Sequence, residues 1–303
     1  AGFIGLEVAE ALRKLNIEVC VFEMQPQILP QIDPELSSLV EKELSEKGVN
    51  LYKGTKVIGF ESDDKGAVGS VVTEDHKGHE TDMVLVAVGA KPNSKIAEEA
   101  GIKLGLKGAI VVDKYMRTSL PNIWACGDCT VTYNRITQEP VYIPLGTTAN
   151  KQGKVAGENV LGGRATFPGV LGTQVTKIFD TFVASTGLTE EQAAAAGFKP
   201  LKVTIKHSDK AGNFPGKKPL YITIIIDKNK GKILGAQLVG SEGVAKRADV
   251  FVTAITAGMD VYELNELDLT YAPPVAPVYD PILIAAAMGI KALEKEKRSQ
   301  SDR

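Results

Sequence analysis

The chain opens on Ala1-Gly-Phe-Ile-Gly-Leu-Glu7 and, about 20 residues later, ends the apolar run Val19-Cys-Val-Phe on the carboxylate of Glu23. No other stretch limits the fold as much. Ile4, Val8, Ala11, Leu12 and Leu15 recur at helical spacing, so an amphipathic helix burying that face is expected to start on the glycines. Such a helix presents free N–H groups and a positive dipole end to a phosphate, and an acid closing the next strand can accept a ribose 2′-hydroxyl. The pattern is a G-x-G-x-x-G-x-E turn without its first glycine and preceding strand. Helix, strand and acid in this order predict a βαβ nucleotide-binding unit.

The next 70 residues continue that lobe. Asp33 is expected to cap a helix with Pro34 at its first position, Leu36, Leu39, Val40 and Leu44 on its buried face and Gly48 at its end. Lys56 to Phe60, Val68 to Thr73 and Met83 to Val88 read as a β-meander returning to a fully buried strand. His76 and His79 fall in a polar turn, and two ligands without a third read as surface residues, so no metal site is expected. Val88-Gly-Ala-Lys-Pro-Asn93 is the expected hinge to a second lobe. There, Ile123 to Cys126 reads as a strand delivering Gly127 and Asp128 to its tip, where glycine allows close approach and the acid can accept hydrogen bonds from ligand hydroxyls. Thr147 to Leu161 is an expected helix with Ala149, Gly153, Val155, Ala156 and Val160 on its buried side.

Composition narrows the class. At 303 residues and 44% hydrophobic content, about two domains with sizeable cores can form. A net charge of −2 offers no footing for nucleic acid. No run of 18 apolar residues and no basic-apolar leader is present, so neither membrane insertion nor export is expected. Three cysteines, Cys20, Cys126 and Cys129, form no disulfide framework and suit a reducing, cytoplasmic compartment. Cys20 reads as a small core residue. Cys126-Gly-Asp-Cys129 invites a dithiol reading, which the neighbouring Asp128 opposes because its charge disfavours a thiolate.

From about residue 167 the pattern becomes α+β. Strands are expected at Gln174–Phe179, Phe182–Ser185, Leu201–Lys206, Tyr221–Ile226 and Ile233–Leu238, the last two joined as a hairpin by Asp227-Lys-Asn-Lys-Gly231. Thr189 and Gln192 form a capping-box signature, helices are expected at Val244–Ala257 and Pro281–Lys295, and Lys295–Arg303 reads as a solvated tail.

The glycine turn, Val-Gly-Ala-Lys-Pro-Asn and Ala-Cys-Gly-Asp-Cys together resemble the two-dinucleotide-binding flavoprotein disulfide reductases. Gly172-Thr-Gln-Val-Thr-Lys-Ile-Phe-Asp180, Val183-Ala-Ser-Thr-Gly-Leu-Thr189 and Tyr271-Ala-Pro-Pro274 are similar to motifs of the coenzyme A-disulfide reductase, NADH oxidase and persulfide reductase branch. The glutathione-reductase branch carries a late His-Pro-Thr, and no histidine here lies beyond His207. The resemblance implies a Rossmann-like NAD(P)-binding domain at 1–92, the C-terminal part of an FAD-binding domain at 93–166 and an α+β dimerisation domain at 167–303.

It further implies that Gly2, Gly5 and Glu23 serve NADH, with NADPH the alternative, that Glu7 lies near the nicotinamide passage and that Gly89 is a cofactor position. Gly127, Asp128 and the helix from Thr147 are implied to serve FAD, and Tyr271 to reach a thiol substrate in a homodimer's partner subunit. The family's FAD fingerprint and reactive cysteine belong to an N-terminal half absent from this sequence, so the chain reads as a C-terminal portion, inactive alone. Coenzyme A disulfide, persulfide, oxygen and peroxide are the candidate acceptors. Asn213-Phe-Pro-Gly216 replaces an aromatic pair before Pro-Gly, which argues against coenzyme A disulfide.

Overall fold

Extended backbone at Gly2 leads into helix α1 (Phe3–Lys14), and strand β1 (Val19–Glu23) follows. Asp33 accepts the N–H of Glu35 and Pro34 fills the first position of α2 (Pro34–Glu46), which removes one orphan donor at each site. The chain then enters β2 (Val49–Lys53), parallel to β1. An antiparallel meander comprises β3 (Val57–Ser62), β4 (Val68–Thr73) and β5 (Gly78–Glu80). The structure, a computed structural model, describes residues 1–301.

Residues 89–173 form one compact unit. It holds α3 (Lys95–Glu99), the two-residue strands β6 (Thr132–Tyr133) and β7 (Pro140–Val141), and α4 (Gly146–Val160) around Ile110, Val112, Met116, Ala156 and Phe167.

The other unit joins residues 1–88 to the described residues from 174 on. Its second part is a five-stranded antiparallel sheet in the order β10-β11-β12-β9-β8, built from β8 (Gln174–Ile178), β9 (Thr181–Gly187), β10 (Pro200–Ser208), β11 (Pro219–Asp227) and β12 (Ile233–Gly240). Helix α5 (Glu190–Ala195) starts on the Thr189–Gln192 capping box, and α6 (Val244–Ala257), α7 (Val261–Asn265) and α8 (Pro281–Ser301) complete the unit. One core runs through both parts, with Leu6, Ala9 and Val40 against Ile178, Val183 and Val239. Polar links cross the same seam. The Phe179 N–H donates to Glu10 Oε2 at 2.7 Å, Lys202 Nζ to Asp33 Oδ2 at 2.7 Å, and the Asp33 N–H to Gln237 Oε1 at 2.6 Å.

Several expectations need correction. Helix α1 buries Leu6, Ala9 and Glu10, while Ile4 and Leu15 are exposed, because the face is set by Phe179 and its neighbours rather than by apolar spacing alone. Residues 83–88 form no strand. A strand buried on both faces needs ladder partners on its edges, and among the described residues β1 pairs only with β2, so Val88 is 89% exposed. His79 lies in β5 and packs edge-on against Phe22 and Tyr52, rather than in a solvated turn. Cys20 is exposed, since β1 turns Val19 and Val21 to the core and Cys20 away. Ile123–Cys126 holds only a bridge between Trp124 and Arg117. Helix α4 buries Thr148, Gln152, Ala156 and Asn159, a mostly polar face, and α8 carries the supposed tail on to Ser301. Helix α7, absent from the sequence reading, starts on an Asp260–Glu263 capping box.

Candidate functional site

Three places gather the predicted site residues, each within one unit. At the first, α1 begins with no side chain capping its N-terminus, and a Cβ built on Gly2 meets nothing within 4 Å. A ligand phosphate can therefore reach the free N–H groups of the first turn. Gly5 packs towards Ala87, where a Cβ would sit 3.6 Å from the alanine methyl. Glu23, at the end of β1, has Oε2 2.7 Å from the Ala1 nitrogen and accepts the Gln25 N–H at 2.9 Å. Its carboxyl thus stands beside the residue that precedes Gly2. Burial works to raise the Glu23 pKa, and the Gln25 and Met24 N–H groups work to lower it. Each carboxylate oxygen retains a lone pair for a further donor. Glu7, on an exposed face of α1, accepts from Thr176 Oγ1 of β8 at 2.5 Å.

The second place is the Gly127–Asp128 turn. Gly127 has φ +85°, a conformation in which a side chain would be strained, and its N–H donates to Gln152 Oε1 of α4 at 2.8 Å. Thr130 Oγ1 lies 3.0 Å from the same oxygen. Gln152, which the sequence reading passed over, thereby ties the turn to α4. The signal was available, because Thr148, Gln152 and Asn159 are polar residues sharing one helical face with Ala156. With Oε1 so engaged, Gln152 Nε2 is buried without a partner among the described residues. Asp128 is exposed and free to accept from ligand hydroxyls. Helix α4 has no side chain capping its N-terminus and Thr147 is exposed in its first turn, so that end can stabilise negative charge. Gly89 stands in an exposed turn at φ +97°.

Cys129 behaves as a packed thiol. Its Sγ lies 3.4 Å from the Cys126 carbonyl oxygen, and burial, with Cys126 and Asp128 adding to it, pushes its pKa up. That is the reverse of a reactive cysteine. No group of three metal-ligating side chains gathers among the described residues.

The third place is the irregular segment before α8. Tyr271 is 51% exposed, and Val275, Val278 and Tyr279 beside it are also exposed. Ala211 N–H donates to Pro273 O at 3.2 Å, which ties this segment to the loop carrying Asn213 and Phe214.

Residues 1–153 match the pyridine nucleotide-disulphide oxidoreductase family, and residues 173–281 match that family's dimerisation domain. The chain belongs to this family. An NADH oxidase of Methanocaldococcus jannaschii is 39% identical, over 98% of this chain and 65% of its own length. A CoA-dependent NAD(P)H sulfur oxidoreductase of Pyrococcus furiosus is 36% identical, over 94% of this chain and 64% of its own. Among solved structures, an NAD-dependent persulfide reductase from A. fulgidus matches with a TM-score of 0.91 at 45% identity, covering 96% of this chain and 54% of that one. The chain thus spans less than two thirds of the length of these members of the pyridine nucleotide-disulphide oxidoreductase family.

Proposed function

We propose that this chain is the nicotinamide-binding, flavin-supporting and interface-forming portion of an NAD(P)H-dependent flavoprotein oxidoreductase, divided functionally at residues 1–92, 93–166 and 167–303. The observation that carries the proposal is the Glu23 carboxyl at the end of β1, 2.7 Å from Ala1 N and so beside the uncapped start of α1. Gly2 and Gly5 admit a dinucleotide pyrophosphate, Glu23 accepts from the ribose, and Glu7 lines the approach of the nicotinamide, while Gly89 is a cofactor position in the 89–173 unit. Gly127 and Asp128 hold the hydroxyls of FAD, and the start of α4 at Thr147 favours negative charge on its ring. Bound FAD supplies hydride acceptance and onward electron transfer. Tyr271 offers its hydroxyl to a small-molecule thiol, disulfide or persulfide across a homodimer, which its exposure and the family's dimerisation domain support.

The names of the P. furiosus and A. fulgidus relatives support a sulfur substrate, and Asn213 counts against coenzyme A disulfide. A second reading, an NADH oxidase, is favoured by the M. jannaschii relative. We assign the reactive cysteine to residues outside this sequence, since Cys129 is disfavoured as a thiolate, and expect the chain alone to bind nucleotide without turnover. A cytoplasmic setting fits the unpaired thiols, and no helix among the described residues is long and apolar enough to cross a membrane.

Calorimetric titration of the chain tests the central claim. NADH should bind more tightly than NADPH, because a carboxylate repels a 2′-phosphate, and Glu23→Ala should erase the difference. Tighter NADPH binding to the parent chain refutes the role of Glu23.

A further inference from the structure

Arg247 is a buried charge that the proposed reaction leaves unused. It projects from the first turn of α6 and is 7% exposed. Its Nε lies 3.1 Å from Oδ1 and 2.9 Å from Oδ2 of Asp280, its Nη2 2.9 Å from Asp280 Oδ2, and the same Nη2 donates to the Asp209 carbonyl at 3.0 Å. Asp280 in turn accepts the Ile282 N–H at 3.0 Å and so starts α8. Asp209, 2% exposed, closes the neck of its loop by accepting the Lys218 N–H at 2.7 Å, and its other oxygen takes the Ser241 hydroxyl at 2.9 Å. Gly243, at φ +87°, makes room, since a Cβ there would stand 2.6 Å from Arg247 Nη1.

Two segments leave from this network. The 210–217 loop springs from Asp209 and carries Asn213 and Phe214, and the 271–279 segment runs into Asp280 and carries Tyr271. A buried ion pair adds little net stability over an apolar replacement of similar size, so its value here is geometric. We infer that Arg247 is a positioning residue that fixes the 210–217 loop and the 271–279 segment relative to each other. The inference rests on the reading of Tyr271 as substrate-facing for its functional meaning only. Guanidinium is suited to the task because its planar fork serves two acceptors at fixed angles, which an ammonium cannot do.

Hydrogen exchange on the chain tests this with two variants. Arg247→Lys keeps a charge for Asp280 but loses the fork, so amides in 209–218 and 272–276 should exchange about tenfold faster while 280–284 stays protected. Arg247→Met with Asp280→Asn removes the charges and keeps an acceptor for the Ile282 N–H. It should retain the parent's unfolding midpoint and its protection in β9 and β12, yet exchange fast in the same two segments. Acceleration spread evenly over β9 and β12 in either variant makes Arg247 an ordinary buttress, and unchanged exchange in the two segments removes its role. Both outcomes overturn the inference. The measurement involves no substrate, so it can fail while Tyr271 keeps its function, and Tyr271→Phe can leave turnover unchanged while the exchange pattern stands.

Discussion

The β8–β12 sheet and the 89–173 unit solve the same burial problem differently. In the sheet, Ile222, Ile224 and Ile226 are fully buried along a strand paired on both sides, and the buried Thr223 hydroxyl meets Thr204 Oγ1 at 2.9 Å. In the 89–173 unit the strands are two residues long, and Trp124 Nε1, Thr132 Oγ1 and Gln152 Nε2 are buried without partners among the described residues. A ladder satisfies its backbone polar groups as it forms, and Ser208 Oγ, at the end of β10, is the one buried side-chain atom of the sheet left without a partner among the described residues. A cluster of turns must find side chains for the task and leaves some unmatched.

That contrast can be broken by substitution. The largest effect belongs to the sheet, where Ile224→Ala should lower stability by about 2–5 kcal/mol in denaturant unfolding through the cavity it leaves. Gln152→Leu comes next. It strips the acceptor from the Gly127 N–H and should cost about 2 kcal/mol, seen also as faster exchange of that amide. An unchanged amide would mean that Gln152 does not hold the turn.

Glu10→Gln probes the seam between α1 and the sheet, at about 1.5 kcal/mol for a charge-assisted hydrogen bond. Burial works to raise this carboxyl, but Lys14, the Phe179 N–H and Lys177 together bring it below its ordinary 4.5. Its contribution is therefore complete above pH 4.5 and fades as pH falls through the lower folded-state value. A stability gap between parent and variant that widens on acidification contradicts the assignment. Thr223→Val, which removes the hydroxyl that meets exposed Thr204, should cost about 1 kcal/mol, whereas Thr132→Val, which removes a buried hydroxyl with no partner among the described residues, should leave stability unchanged or raise it by about 1 kcal/mol. If those last two substitutions cost the same, the comparison between the regions fails.

Elements with local causes were legible in the sequence. The Asp33–Pro34 start, the Thr189–Gln192 box, the turn at Asp227–Gly231 and the span of α6 are each written in a few adjacent residues. Faces were not, because the partner decides them. Glu10 is buried where Lys14, the Phe179 N–H and Lys177 receive it, and Val88 is exposed although its run has the composition of a central strand. The site divides in the same way. Gly2, Glu23, Gly127 and Asp128 stood out as motifs, but Gln152 and Arg247 act through distant atoms, Gly127 N and Asp209 O, that no local spacing predicts.

The core shared by α1, α2 and β8–β12 is assembled from two stretches separated by residues 89–173. During translation, at about 5–20 residues per second, Leu6, Ala9 and Val40 leave the ribosome on the order of ten seconds before Ile178 and Val239 follow. For that interval the nascent 1–88 segment has an open apolar side, which makes it a candidate for chaperone holding and for misassembly with its neighbours on a polysome. Stalled chains ending at Thr173 should bind a hydrophobic dye that the finished chain excludes, and equal dye binding would show that the early lobe closes by itself.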